Sequence, residues 1–509
     1  MTTHIVPLIG SAFGLGLIAT SAAADLTAAE VWGDWQGYLS GMGYGVEATE
    51  STSGNTLTVS DITMNLAGGP DIETMQISIG SLSFVENGDG TVDVVMPDTM
   101  PITLEIEPKS TDEAANIVLT YSQAGQRMTA SGSADALRYD YTADSFGFSV
   151  AGVVVDGVDM GEAMRVNLSG ENLQSQTDVS VGETRSYDQT YSASNLVYDI
   201  AFKDPAGDDG GSVTMRAQTV GFEGTTALPV DAVASAADMN ALMQAGFAFD
   251  GVFTTGNGET LIDITSADGT TRIKTGSVAG DYRIKMDADG LRYDLGATDM
   301  LIGAQIAGLP IPLSAQMASA GLELAAPVVK SDTPQDFALG FNLTEFSMSD
   351  VIWGLFDPSA QLPRDPATVV LDLSGKAKLL FDMLDPAAAA QLAPGTAPGE
   401  IDALKINTLT VDAVGARLDA TGDVAFDNTD KTTLPGFPKP VGAVTVDLAG
   451  ANGLIDKLMA MGLLPQEQAM GARMMMGLFA VPGQGEDTLT STIEFNDAGQ
   501  ILANGQRLK

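Results

Sequence analysis

Carboxylates are the side chains with chemistry to offer here, because the chain has almost nothing else that could react. It carries 66 Asp and Glu, a single His (His4) and no Cys. That composition leaves no residues for thiolate nucleophiles, Cys/His zinc sites or disulfides, and none beyond His4 for a His-based triad. Carboxylate acid–base work, Lys chemistry and oxygen-ligated calcium remain open. The one calcium-like phrase fails on spacing. Placing Asp89-Gly90 of 87–93 (NGDGTVD) at positions five and six of an EF-hand loop puts Val85 at position one and Met96 at twelve. Neither can hold calcium, so the phrase reads as a hairpin turn. No acid/base pair stands out among the carboxylates, and 6% aromatic residues provide few platforms for sugar rings. No catalytic, cofactor-binding or metal-ligating residue is assigned, no cofactor is expected, and the expected role is not enzymatic.

Charge narrows the partners. With 24 basic residues against 66 acidic ones, the formal net charge is -42. Such a surface repels phosphate backbones, so no nucleic acid is expected as a partner. An apolar surface is the better candidate for binding. Met459, Met461, Met470, Met474, Met475 and Met476 fall in two amphipathic runs parted by Pro465. Methionine surfaces accept varied apolar ligands, and Met470, Met474 and Met475 are singled out as an apolar ligand or partner surface. The plainer reading is helices that cover the end of a sheet.

The elements that would position these residues are mostly strands. Apolar residues alternate with polar ones at Leu57 and Val59, at Met75, Ile77 and Ile79, at Ile102, Leu104 and Ile106, and at Ile117, Leu119 and Tyr121. Period-two patterning gives each strand one buried and one solvated face. Turns are expected at Asn87-Gly88-Asp89-Gly90, Gly256-Asn257-Gly258 and Asp268-Gly269. A strand over 368–381 is expected to break at Ser374-Gly375. The last strands fall at 489–495 and 500–503.

Short helices punctuate the strands. Residues 27–42 carry Thr27 as N-cap with Glu30 three places on, and Trp32 and Trp35 on the apolar face. Further helices are expected at 235–245, at 350–356 and in the Met-rich region. A stop signal recurs as Leu39 to Tyr44, Leu242 to Phe247 and Leu458 to Leu463: Leu, three residues, Gly, then an apolar residue. Leu-x-Tyr-Asp recurs at Leu137, Leu196 and Leu291. The fold class is mainly β, with long antiparallel, curved sheets flanked by a few short helices. The expected division is a leader over 1–24, a β-rich half over 25–230 and a second over 231–509.

Residues 5–24 (IVPLIGSAFGLGLIATSAAA) read as an export leader, cleaved between Ala24 and Asp25 after the small residues Ala22 and Ala24. The first four residues carry no Lys or Arg, which keeps an inner-membrane anchor over 5–24 as the alternative. No later stretch is long and apolar enough to span a bilayer as a helix.

Three stretches carry a family resemblance: VWGDWQGYLSGMGY near the start, GFNLTEFSMSDVIWGLFDPSAQLPRDPATVVLDLSGKAKL in the middle, and the ending from GLIDK (453–457) to NGQRL (504–508). They resemble the domain of unknown function family 2125, exported or membrane-anchored proteins of Gram-negative bacteria. The ending is similar in style to AsmA-like and YdgA-like envelope proteins. Those resemblances imply a periplasmic location, curved β-sheets and, in some members, lipid handling, with no functional residue to carry over. The function expected is an exported binding or scaffold protein with a lipid or other apolar small molecule, or another envelope protein, as partner. A carboxylate-based glycan hydrolase and an acidic surface or adhesion protein are the alternatives.

Overall fold

The computed structural model describes residues 25–67, 72–109, 114–161, 163–204, 207, 209–229, 239–309, 311–385 and 397–508. The expected leader with Ala22 and Ala24, the boundary near residue 230 and most of the stretch 386–398 lie outside them. Asp25 is the first described residue and is exposed.

Among the described residues, every strand joins one antiparallel sheet of 28 strands. Local pairing is enough to build most of it, because successive strands lie beside one another. β1 (Tyr44–Ser53) and β2 (Thr56–Ala67) form the opening hairpin. β2 then carries two shorter strands end to end, Leu82–Glu86 on its first half and Ile72–Ile79 on its second. The strand Gly210–Pro229 repeats the arrangement with Ala248–Thr255 and Gly258–Ser266. Gly256-Asn257 is therefore a corner between collinear strands, where the sequence suggests an ordinary turn. Gly210–Pro229 also pairs across residue 230, so the sheet runs on from one expected half into the other.

A line of irregularities crosses the sheet. Asp61, Asn172, Asn195, Asp299 and Glu345 sit in mid-strand with left-handed φ of 51, 52, 50, 49 and 51°.

 A left-handed residue inside a strand is a bulge-like kink, and Asp and Asn tolerate it best. The shorter strands end on the same line, at Ile79 and Leu82, Ala124 and Arg127, Thr255 and Gly258, and Ser277 and Ala279. The parity of the apolar positions changes there. Leu57 and Val59 precede Asp61, whereas Ile62, Met64 and Leu66 follow it. Tyr187 and Tyr191 precede Asn195, whereas Leu196, Tyr198 and Ile200 follow it. The sheet is creased along this line.

Five helices flank the sheet among the described residues. α1 (Ala28–Gly41) starts at the expected capping box: Thr27 Oγ1 accepts from the Glu30 amide at 3.3 Å, and Glu30 Oε2 accepts from the Thr27 amide at 2.9 Å. Its apolar face packs on the sheet and makes the main core. Val31 and Trp32 are buried against Leu57, Val59, Phe84, Val92 and Leu137. Trp35 stands edge-on to Phe84, with ring centres 5.5 Å apart. α2 (Met239–Gln244) is the described part of the helix expected at 235–245. The recurring stop works as its spelling implies. Gly246 has φ of +106°, and the Phe247 amide reaches back to the Leu242 carbonyl at 3.1 Å. Gly462 does the same after α4 (Ala451–Ala460), with Leu463 bonded to Leu458 at 3.0 Å.

α3 (Asp350–Phe356) lies where its sequence places it, and Asp357 ties down the loop that follows by accepting from the Gln361 and Leu362 amides, both at 2.9 Å. α5 (Gln466–Phe479) completes the Met-rich pair. One expectation is overturned: Ala367–Leu379 runs unbroken through Ser374-Gly375. Gly375 is needed because the Phe337 ring lies across it, and a Cβ there would come within 2.5 Å of that ring.

Candidate functional site

Partners in an antiparallel ladder point to the same face, so a row of side chains can be followed from strand to strand. Starting at Tyr191, successive partners are Phe222, Phe253, Tyr282, Leu295, Leu322, Phe341, Leu371, Leu409, Ala420 and Val446. Ser491 follows Val446. At the usual strand spacing, the stretch from Tyr191 to Val446 is about 48 Å long. A neighbouring row runs from Tyr139 through Thr177, Gln189 and Gly224 to Gly251, and on through Ile284 and Tyr293. It continues through Leu324, Leu339, Leu373 and Ile406. Neither row contains a charged side chain.

The charges lie on the other face. Arg138 pairs with Asp178 at 2.7 Å, Arg283 with Asp250 at 2.7 Å, Arg292 with Glu323 at 2.9 Å and Lys376 with Asp336 at 2.7 Å. Hydrogen bonding within the first pair raises the Arg138 pKa and lowers that of Asp178. Exposed pairs of this kind add little stability, but they show which face meets water.

The uncharged face is largely bare in its middle. Tyr282, Leu295, Leu322 and Phe341 keep 39, 38, 42 and 41% of their surface exposed. Each leaves on the order of 1 kcal/mol of burial unrealised, by the usual area relation. Aromatic rings make the face continuous near Tyr191. Tyr191 stacks on Phe222 at 5.2 Å, and Phe222 meets Phe253 at 4.6 Å. Gly251 lies beneath them, where a Cβ would come 2.7 Å from both Phe222 and Phe249.

Both ends of the face are closed by helices. At the first end, α1 covers a cleft of about 440 Å³ that includes Trp35, Tyr38, Tyr139, Arg185, Tyr187 and Leu228. Asp34 and Arg185 form an ion pair there, with side-chain exposures of 6 and 12%. The Tyr139 hydroxyl donates to the second Asp34 oxygen at 2.7 Å, and Arg185 Nε donates to the Tyr187 hydroxyl at 2.9 Å. Burial and the adjoining Asp34 charge push the Tyr139 phenol well above its ordinary range. Burial works to lower the Arg185 pKa, but its bonds to Tyr187 and Asp34 outweigh that and raise it. At the other end, Ser491 Oγ donates to the Phe479 carbonyl of α5 at 2.6 Å.

The residues singled out from sequence lie at this second end. Met470, Met474 and Met475 are on α5 with 62, 70 and 50% of their surface exposed. Met470 and Met474 are one turn apart, and Leu478 extends the stripe. The rows themselves and Arg185 were not singled out. Alternation shows that each strand has an apolar side, but the register that aligns those sides is set by the pairing of one strand with the next. Two troughs of mixed lining, about 730 and 530 Å³, follow the crease and share Asn257, Gly258, Glu259 and Ser277.

Among the described residues, no group of three or more His, Cys, Asp or Glu side chains could hold a metal ion, and no helix is long and apolar enough to cross a membrane. No protein-family model matches the chain, and a search of curated proteins finds no similar sequence.

Proposed function

We propose that this is an exported, periplasmic binding protein that holds an elongated apolar or lipid-like molecule along the uncharged face of its sheet. The observation that carries the reading is the row from Tyr191 to Val446, apolar throughout and about two-fifths exposed at its centre. An apolar surface of that length exceeds what a soluble chain leaves scattered on its exterior. It is also longer than a single lipid tail, which spans about 15 Å as half of a bilayer core. The leader over residues 5–24 and the resemblance to domain of unknown function family 2125 support the periplasmic setting, with removal of the leader before Asp25.

The test is native mass spectrometry of the full protein purified from the periplasmic fraction, followed by titration with an apolar fluorescent probe. A co-purifying apolar species and saturable probe binding are expected. The double substitution Leu322→Asp and Phe341→Asp should weaken probe binding about tenfold or more, since it places two charges in the path of the ligand. Probe binding unchanged by that variant would overturn the reading. An N-terminus other than Asp25 would overturn the cleavage.

A further inference from the structure

We propose that the cleft under α1 is a head-group pocket for an amphiphile whose head is uncharged and carries hydrogen-bond-accepting oxygen, with its tail lying along the apolar rows. The inference rests on the reading that those rows take an apolar ligand.

The placement of Arg185 is the starting point. The two rows on the sheet contain no charge, and Arg185 stands just beyond them, paired in register with Val181 and Leu228. A guanidinium at the edge of an apolar face needs partners. Asp34 supplies one, through Nη2, and Tyr187 another, through Nε. Nη1 has no acceptor among the described residues. It lies beneath Gly37 of α1, about where a side chain on that residue would reach: a Cβ there would be 3.6 Å from it. That donor is thus left facing a cleft walled by Trp35, Tyr38 and Leu39. Small-molecule pockets have this form, mostly apolar with few polar groups that fix one orientation.

The same geometry selects the head. Asp34 already balances Arg185, so the pair is neutral as it stands. A carboxylate or phosphate would add an unbalanced charge beside Asp34, inside a chain whose net charge is -42. An ester, amide or hydroxyl oxygen accepts from Nη1 without that cost. The tail has a continuous path out, because Tyr139 and Gln189 line the cleft and also belong to the second row.

Three probes of related chain length separate the cases: mono-oleoylglycerol, oleate and hexadecane, titrated against the mature protein with Trp fluorescence and native mass spectrometry as readouts. Mono-oleoylglycerol is expected to bind about tenfold tighter than either of the others, the worth of one well-made buried hydrogen bond. The triple substitution Asp34→Leu, Tyr139→Phe and Arg185→Met removes the donor without stranding a charge or bringing in another donor, and should bring that ratio toward one. Thr226→Phe fills the cleft from the sheet side, leaves the ion pair in place, and should have the same effect. Oleate binding as tightly as the glyceride would overturn the uncharged head. Hexadecane binding as tightly would overturn the head-group pocket, while the apolar row would stand in both cases. Failure of all three to bind would overturn the row and the pocket together.

Discussion

One end of a sheet face and its middle solve the same problem differently. Under the first turns of α1, short of the cleft at Trp35 and Tyr38, the apolar side of the sheet is sealed: Phe84, Val59 and Val92 are fully buried against Val31 and Trp32. Further along the same face, Leu322 and Phe341 are equally apolar and stay about two-fifths exposed, with no helix among the described residues above them. The sequences of the two regions alternate alike, so apolar patterning fixes which side of a strand seeks cover and does not say whether cover arrives. At the sealed end the face contributes stability. In the middle it leaves surface for something else to bury.

Removing a large side chain from each region is the most direct way to break that comparison. Trp32→Ala should cost about 3–5 kcal/mol, as expected when a buried aromatic leaves a cavity, read from urea unfolding followed by circular dichroism. If it costs no more than a surface substitution, the sealed core is wrong.

Next in size is the cap of α4. Asp487 accepts from the Asn452 and Gly453 amides at 3.2 and 2.9 Å and from the Asn452 side chain at 2.8 Å. Asp487→Ala should cost about 1 kcal/mol, the usual worth of a lost cap. Burial alone would raise the Asp487 pKa, but these hydrogen bonds dominate and lower it below the ordinary carboxylate value. A folded pKa below the unfolded one makes a contribution present above the unfolded pKa and lost as pH falls through the folded value. The difference in stability between wild type and Asp487→Ala should therefore shrink as pH falls below about 4. A difference that grows on acidification would contradict the cap.

The smallest effect belongs to the bare face. Leu322→Ala should change stability by less than about 1 kcal/mol, because the side chain is already two-fifths exposed. The same variant should weaken binding of an apolar probe. A loss of stability as large as that of Trp32→Ala would show that the middle of the face is covered in solution.

Much of this architecture was legible in the residues. Thr27 with Glu30 marked the start of α1, the Leu-x-x-x-Gly stops marked where helices end, and period-two alternation marked the strands. Ser374-Gly375 misled, because a glycine that makes room for the Phe337 ring looks in sequence like one that ends a strand. Gly256-Asn257 misled in a related way: a turn signal does not distinguish a hairpin from a corner between two strands on a common neighbour. Met470, Met474 and Met475 were recognisable as an apolar stripe by helical spacing, whereas Arg185 was not recognisable at all. It is one of 24 basic residues, and its isolation beside an uncharged surface exists only once Tyr187, Asp34 and Tyr139 are brought together across the chain.

Local rules thus set what each segment is: which runs become strands, which side of each is apolar, and where helices begin and stop. They act over a few residues, so they can be read along the chain. Register across the sheet was decided only in three dimensions, and with it came one uncharged face, one face of ion pairs and a crease between strand halves. The reason is physical. A row of side chains about 48 Å long, at about 4.8 Å per strand, is made of contacts between residues on different strands, and the energy that aligns them belongs to the pairs and to no single segment.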